Sequence, residues 1–268
     1  MSVGQPAVPI SLPAARRPFP PGHRSAAHRN GIVRSELPTA VAWKDGRGVM
    51  NVKEAVSGRK SIRGFKTDPI PRCVLTEIFE ASVRAPSSDN SQPWEIYVLA
   101  GEALDRIRRD NVEALKKGVA GKSYPPYEPV YRKRQVGLAV ELFKAMGIAR
   151  EDKDKRFEWM QRGFRFFDAP VGVVLATDRS LDLQTAASDV GGLAQTICLV
   201  AMEYGLGSCI IAQGVTYPDI IRRHVAIPES KRLLLAISLG YPDPDFPANR
   251  VVSEREPLDT NTFWVGFG

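Results

Sequence analysis

The 268-residue chain is poor in the residues that most catalytic and metal sites require. It contains three cysteines, none in a C-x-x-C spacing, and three histidines. His23 and His28 lie in a proline-rich N-terminal segment, so a folded core is left with His224. We therefore expect no zinc site, no disulfide framework and no Cys/His or Ser/His catalytic pair that lacks His224. His224 ends the amphipathic run PDIIRRHV, and a structural role is the more common one for a histidine at a helix end.

Further absences narrow the classes of function. No G-x-G-x-x-G follows a strand-like segment and no G-x-x-x-x-G-K-[ST] occurs, so we expect neither a Rossmann site nor a P-loop. No stretch approaches about eighteen consecutive apolar residues, so we expect no transmembrane helix. Unpaired cysteines and the lack of an apolar signal region favour a cytoplasmic location.

Positive charge is concentrated at the N-terminus. The formal net charge is +7, and residues 1–49 hold seven basic against two acidic residues, which leaves +2 for the rest of the chain. We therefore expect no nucleic-acid-binding face on the folded part. Seven prolines and no sustained periodicity predict disorder in the first 40 residues. We interpret residues 1–49 as an extension ahead of a natural start at Met50, with an Arg-rich targeting segment as the alternative.

The remaining chain mixes helical and strand-like patterns without a regular βαβ order. Strands are predicted in WEIYVLA, APVGVVLATD, GLGSCIIA and RLLLAISLGYPD. Helices are predicted at 51–57, 71–85, 102–118, 131–146, 151–165 and 180–204, and the last is apolar on most sides, as in a core or a subunit interface. The segment KSYPPYEPVY is predicted to be a loop, either a pocket wall formed by Tyr124–Tyr131 or a surface loop. The pattern predicts one α+β domain over residues 50–268, with a central sheet wrapped by helices.

The segment RKSIR carries the first indication of a binding site. In an extended backbone Arg59, Ser61 and Arg63 point to the same side, because side chains alternate with a period of two. Two guanidinium groups beside a hydroxyl suit a phosphate or another anionic group. A solvated basic edge has the same pattern, so this alternative stays open.

The segment APSSDNSQPW carries the second indication. Its run Ser87–Asn90 follows a helix end and offers hydroxyl and backbone N–H groups, although a simple capping turn would look the same. Gln92 and Trp94 are unusual in an ordinary linker. Arg255, in SEREPL, is uninformative by itself. Because the chain has few catalytic side chains, these features together favour a cofactor that carries the reaction.

Four segments resemble the FMN-dependent nitroreductase family in their order and spacing. They are RKSIRGF, APSSDNSQPW, GLGSC and LGYPDPDFPANRVVSEREPLD. The resemblance covers about residues 50–268 and is nearest to a bacterial branch related to nitrobenzoate reductases, which FFDAPVGVVLATD also fits. It implies a three-layer α+β fold with a mostly antiparallel central sheet, a homodimer with two FMN sites at the interface, and a C-terminal arm that extends onto the partner subunit.

The resemblance also assigns residues to the flavin site. Residues of one subunit would hold the phosphate, the ribityl chain and the pyrimidine edge: Arg59, Lys60, Ser61 and Arg63. Arg63 would face the N1/O2 side, where a fixed cation stabilises the charge of the reduced ring. The set is completed by a loop of the other subunit and by backbone groups near the ring: Pro86, Ser87, Ser88, Asn90, Ile210, Ile211 and Ala212. Arg255 would return to the phosphate, although Ser253 stands where some branches have a second basic residue. Asn111 is a further candidate by a loose alignment.

The resemblance implies an NAD(P)H oxidoreductase that reduces nitroaromatic or quinone-type acceptors in a ping-pong cycle, with hydride transfer through flavin N5. No side chain then needs to act as acid or base, because the flavin carries the chemistry. Alternatives on the same fold are a flavin reductase, a reductive dehalogenase and an enal or enone reductase. A binding protein with a basic tail belongs to a different class and would show salt-sensitive binding that depends on residues 1–49.

Overall fold

The computed structural model describes residues 50–123 and 125–267, so the predictions for residues 1–49 and Tyr124 lie outside the described residues. Its helices are α1 (Val52–Gly58), α2 (Arg72–Ser82), α3 (Gly101–Lys116), α4 (Pro129–Ala145), α5 (Lys153–Phe164), α6 (Leu183–Glu203) and α7 (Pro218–His224). Its strands are β1 (Trp94–Ala100), β2 (Val171–Asp178), β3 (Gly207–Ile211) and β4 (Lys231–Gly240). Each of these elements overlaps a helix or strand predicted from the sequence, apart from α7, for which only an amphipathic run is recognised.

The strands form one four-stranded sheet in the order β1-β2-β4-β3, and every neighbouring pair is antiparallel. Side chains of the central strand β2 alternate between two cores. Val173 and Leu175 pack with α2 and α6, whereas Val174 packs with α3 and α7 on the other face. The fold is therefore the three-layer α+β arrangement that the sequence predicts.

α6 is the helix around which one core is built. Its inward side chains pack on the sheet and on α2, and they are Ala186, Val190, Leu193, Ala194, Ile197, Cys198 and Ala201. By length and composition alone, α6 is also the one helix among the described residues that is long and apolar enough to cross a membrane, with a mean hydropathy of 1.2. Polar residues interrupt α6, so it contains no run of about eighteen consecutive apolar residues. Packing in the core accounts for the apolar residues on the inner side of α6.

Two local features differ from the sequence expectation. α4 begins at Pro129, because proline is well accommodated in the first turn of a helix, so the predicted loop 124–131 is shorter than expected. In α3, the spacing of apolar residues predicts Leu104, Ile107 and Leu115 on the inner side. Leu115 is only partly buried, and Asn111 and Ala114 take the inward positions beyond Ile107. The loop and the helix are otherwise where the pattern predicts them.

The C-terminal arm starts on the surface of its own chain. Arg134 of α4 forms an ion pair with Glu256, with Nε 2.7 Å from Oε1. Beyond this contact the apolar side chains of Phe263, Trp264 and Phe267 are exposed. An extension of the arm onto a partner subunit stays a prediction.

A charged network joins the ends of β1, β2 and β4. Lys231 Nζ lies 2.5 Å from Glu95 Oε1 and 3.1 Å from Asp178 Oδ2. The hydroxyl and the backbone N–H of Ser180 donate to Asp178 Oδ1 at 2.7 and 2.9 Å. Hydrogen bonds from Ser180, and then the bond from Lys231, lower the pKa of Asp178 to about 2.

Replacing Asp178 with asparagine should remove a pH-dependent part of the stability. Because the folded state depresses the pKa of Asp178, its carboxylate stabilises the fold above about pH 4 and loses that contribution as the pH falls towards about 2. Wild type and Asp178→Asn should therefore differ most in free energy of unfolding near neutral pH, and this difference should shrink in acid. Urea denaturation across a pH series measures it, with the exposed Asp259→Asn as control. A difference that is constant with pH would contradict the expectation.

Candidate functional site

The basic segment Arg59–Phe65 lies along the free edge of β3. Ser61 forms a parallel bridge with Ser208, and the N–H of Ile62 donates to the Ser208 carbonyl at 2.9 Å. A second bridge, at Phe65, pairs the segment with the residues that follow β4. The segment is thus extended, as predicted, but it pairs at isolated positions and does not form a full strand.

Burial alternates along this segment. Ile62 and Gly64 are buried, whereas the polar side chains of RKSIR are partly exposed. Gly207 of β3 provides the space for Ile62, since a Cβ on Gly207 would lie 2.6 Å from Ile62 Cγ1. Ser61 and Arg63, on either side of the buried Ile62, stay partly exposed.

A cavity of about 450 Å³ opens beside the basic segment. Arg59, Lys60, Lys66 and Arg250 contribute positive charge to its wall, and Asp243 is the one acidic residue among the described residues that line it. This volume falls within the range of about 300–1,000 Å³ that is usual for small-molecule and cofactor sites. Clustered guanidinium and ammonium groups are the donors that phosphate binding uses, so this wall fits a phosphate-bearing ligand.

The Ser87–Asn90 turn lines a different cavity, of about 660 Å³. Pro86, Ser87 and Ser88 form one wall, and the first half of α6, including Asp189, forms the other. The Ser88 N–H donates to Asp189 Oδ2 at 3.1 Å. Asn90 has a φ of 56°, in the region that favours asparagine and glycine. The turn is therefore held to α6 in a defined, partly strained conformation.

The two cavities lie at different places on the chain and share no lining residue among those described. Asp189 lines the larger cavity and Met202 lines the smaller one, and both residues belong to α6. At about 1.5 Å of rise per residue, these two positions are about 20 Å apart along the helix axis. Of the predicted site residues, Pro86, Ser87 and Ser88 line the larger cavity, and Arg59 and Lys60 line the smaller one. The others line neither cavity, and they are Ser61, Arg63, Asn90, Ile210, Ile211, Ala212 and Arg255.

The predicted backbone contributors stand at the end of β3. Ile210 and Ile211 are its last two residues, and Ala212 leads into a short 3₁₀ turn. Ile210 and Ala212 are exposed, whereas Ile211 is buried in the core. The exposed positions can be reached by a ligand that runs along the edge of β3.

Two other candidates are not brought to the basic segment. Arg255 is exposed, and its guanidinium donates to Ser253 and Glu254, its neighbours in sequence. Arg255 does not line the cavity beside the basic segment. Asn111 is fully buried in α3, where its Nδ2 donates to the carbonyl of Phe164. A bound ligand cannot reach Asn111 in this position.

The two buried cysteines are protonated, and His224 is bonded to a carboxylate. Burial raises the pKa of Cys198 to about 11 and also raises the pKa of Cys209, so both thiols stay protonated near neutral pH. His224 Nε2, at the end of α7, lies 2.7 Å from Asp110 Oδ2 in α3 and joins the two helices. These contacts support a site in which a bound group supplies the chemistry.

Sequence reasoning missed two residues that organise the basic segment. Asn249 Oδ1 accepts from the N–H groups of Arg63 and Gly64 at 2.7 and 3.1 Å. Arg162 Nη2 donates to the Arg63 carbonyl at 3.0 Å. Both lie far from Arg63 along the chain, so no local pattern reveals the contacts. The sequence offers one hint of these contacts, the asparagine in the short PANR turn (Pro247–Arg250) of the C-terminal arm.

Comparison with known proteins gives a consistent result. The Nitroreductase family model matches residues 56–241. A 4-nitrobenzoate reductase of Nocardioides sp. (strain LMS-CY) is 33% identical over 219 residues, which cover 78% of this chain and 88% of that protein. A nitrobenzene nitroreductase of Ectopseudomonas oleovorans is 32% identical over 220 residues, which cover 80% and 96%.

Solved structures agree with the sequence relatives. The FMN and NADPH-dependent nitroreductase NfnB from sphigopyxis sp. strain HMH superposes with a TM-score of 0.77 at 31% identity, over 81% of this chain and 100% of that one. The FMN-dependent NfnB from Mycobacterium smegmatis, in complex with NADPH, gives a TM-score of 0.75 at 29% identity, over 80% and 97%. By its sequence and by its fold, the chain belongs to the nitroreductase family.

Proposed function

We propose that the protein is an FMN-dependent NAD(P)H oxidoreductase that reduces nitroaromatic acceptors. Family membership supports this proposal, as do relatives and structural neighbours named as nitroreductases. The observation that carries it is the basic segment on the edge of β3, beside a cavity whose charge suits a phosphate. When bound, FMN would supply the two-electron chemistry that the described side chains lack.

The residues of the basic segment take distinct roles in this proposal. Arg59 and Lys60, which line the basic cavity, would bind the phosphate, and Ser61 would add a hydroxyl donor. Arg63 would provide the positive charge that stabilises the reduced ring at its pyrimidine edge. The exposed backbone at Ile210 would border the ring. In this proposal the protein would bind and orient the flavin and would tune its reduction. NAD(P)H and the acceptor would occupy the same pocket one after the other.

Each site is proposed to combine residues of two subunits in a homodimer. Support comes from the separation of the two groups of site residues along α6, which leaves the Ser87–Asn90 turn remote from Arg59 in one chain. The exposed aromatic residues of the C-terminal arm are consistent with a covering partner. We further propose that residues 50–268 form the flavin-binding domain, that residues 1–49 are an extension, and that the protein is cytoplasmic, as its free cysteines suggest.

The function is tested with purified protein loaded with FMN. We expect an absorbance band at about 450 nm that bleaches when NADPH or NADH is added without oxygen. The band should return when 4-nitrobenzoate is added. Steady-state rates with nitrobenzoate and with a quinone should give parallel double-reciprocal lines, as a ping-pong cycle requires. Reduction of free FMN as the preferred acceptor would identify the protein as a flavin reductase. A protein that takes up no FMN, or whose bound FMN is not reduced by either nicotinamide, would overturn the proposal.

Arg59→Gln should weaken the binding of FMN much more than the binding of riboflavin. The two ligands differ by the phosphate, and loss of one charge-assisted contact to it should cost about tenfold or more in affinity. Fluorescence titration of both ligands into the wild type and the variant measures the difference. Arg72→Gln, an exposed arginine in the first turn of α2, is the matched control and should change neither affinity. Equal losses for the two ligands would show that Arg59 does not contact the phosphate.

Two defective variants should complement each other if each site is shared between subunits. Arg59→Gln damages one half of the site, and Ser88→Trp fills the cavity of the other half at an exposed position. We expect each homodimer to lose FMN, and a co-expressed, doubly tagged heterodimer to bind one FMN per two chains, because one of its sites keeps both native halves. If both halves came from one chain, the heterodimer would bind none.

A further inference from the structure

The dipeptide Arg63-Gly64 is held by bonds to all of its backbone polar groups. Asn249 Oδ1 accepts from both N–H groups, at 2.7 and 3.1 Å. The Arg63 carbonyl accepts from Arg162 Nη2 at 3.0 Å. The Gly64 carbonyl accepts from Asn249 Nδ2 at 2.8 Å and from the N–H of Asp243 at 3.1 Å. Since the partners come from distant parts of the chain, tertiary structure fixes this dipeptide where a regular strand does not.

Asn249 makes three of these five hydrogen bonds, which together we call the clamp. Its side chain is buried, with 6% exposure of the residue, and its second donor bond goes to the Asp243 carbonyl at 2.9 Å. The amide therefore uses its oxygen twice and its nitrogen twice. A buried amide with every direction bonded has little freedom, so it transmits the position of the PANR turn directly to the backbone of Arg63.

Steric contact removes the remaining freedom at this point. A Cβ on Gly64 would lie 2.1 Å from Phe246 Cγ, so the Phe246 ring packs directly on the glycine. Trp159 stacks with that ring at 6.4 Å between centroids, and the Arg162 guanidinium lies 4.7 Å from the centroid of Phe246. The backbone of Arg63-Gly64 is therefore gripped by bonded groups and by packed rings.

The side chain of Arg63, in contrast, is lightly held. It is partly exposed, and among the described residues its one side-chain hydrogen bond runs from Nη1 to the Ser61 carbonyl at 3.3 Å. Because its backbone is anchored, the guanidinium of Arg63 can contact a ligand while the point where the side chain begins stays fixed.

We propose that Asn249 is a positioning residue for Arg63, and that through Arg63 it sets how much more tightly the site binds reduced than oxidised FMN. This inference rests on the proposed function, in which Arg63 faces the pyrimidine edge of the flavin. Reduction adds negative charge there, so a cation that is held in place favours the reduced form. A displaced or mobile cation loses that preference without losing its charge.

The test compares Asn249→Ala with Asn111→Ala. Asn111 is a matched control, because it is also a buried asparagine bonded to a backbone carbonyl, but it contacts neither Arg63 nor Gly64. The readout is the ratio of the dissociation constants for oxidised and reduced FMN, measured as the midpoint potential of the bound flavin. We expect Asn249→Ala to lower this ratio about tenfold, which is about 30 mV for a two-electron couple, and Asn111→Ala to leave it unchanged.

The Arg63→Gln background separates positioning from a general loss of structure. If Asn249 acts through Arg63, Asn249→Ala changes the ratio in wild type and has no further effect once Arg63 is glutamine. An equal effect in both backgrounds, or an unchanged ratio in a folded Asn249→Ala protein that binds FMN, would overturn the inference and leave the proposed function intact. A wild-type protein without affinity for FMN would overturn both.

A second pair of variants covers a failure of Asn249→Ala to fold. Asn249→Ser keeps a smaller polar group in the same buried place. Arg162→Gln removes the bond to the Arg63 carbonyl from the other side. Each should lower the ratio in the same direction, and the Arg63→Gln background should abolish each effect. No change with either variant would count against the clamp.

Discussion

The contact between Ile62 and Gly207 is the constraint on which the basic segment depends. A residue with a side chain at position 207 would collide with Ile62, and the buried Ile62 in turn keeps its N–H within 2.9 Å of the Ser208 carbonyl. One apolar side chain thus sets the register of the whole segment against β3. Arg59 and Lys60 line the adjacent cavity together with Ile62, whereas Ser61 and Arg63 do not line it. The position of the charged wall therefore depends on a hydrophobic contact.

The sequence predicts the elements of this fold well because they are locally determined. α1 has its helix-start signal within four residues, since Asn51 and Glu54 cap each other. β2 is apolar throughout because both of its faces are buried, and its pattern is unambiguous. The extended character of RKSIRGF is likewise visible in its alternation. The bridge between Ser61 and Ser208 fits that extended character, while the roles of Arg59, Ser61 and Arg63 towards a cofactor stay a proposal.

Contacts between distant residues are what the sequence does not reveal. Asn249 and Arg63 are 186 positions apart, and neither PANR nor RKSIRGF contains a sign of the other. Arg255 lies in a recognised segment that suggests a phosphate ligand, and in the single chain its guanidinium donates to its neighbours Ser253 and Glu254. Its role towards a phosphate stays a prediction. Motif spacing carries information about order along the chain. It carries none about where an arm turns in space.

A strained backbone turn contacts Arg162, which is part of the clamp around Arg63-Gly64. Phe166, Phe167 and Asp168 have φ values of 56°, 51° and 59°, and each non-glycine residue in such a region costs about 1 kcal/mol or more. Burial of Phe166 and the bond from the Ser238 hydroxyl to its carbonyl, at 2.8 Å, offset that cost. The turn places the Asp168 carboxylate 3.3 Å from Arg162 Nη1.

α6 links the core to the proposed assembly. Its inner side packs on the sheet, while Asp189 and Met202, which are about 20 Å apart along the helix axis, line two different cavities. In a two-fold dimer whose α6 helices pack antiparallel, the Met202 end of one helix would face the Asp189 end of the other. The two-fold axis would then cross near Thr196, midway between them, and the neighbouring Gly191 and Gly192, beside which a Cβ would meet open space in a single chain, would permit close approach. One helix would then set both the subunit contact and the distance that brings the halves of each site together, so that assembly and cofactor binding depend on the same residues.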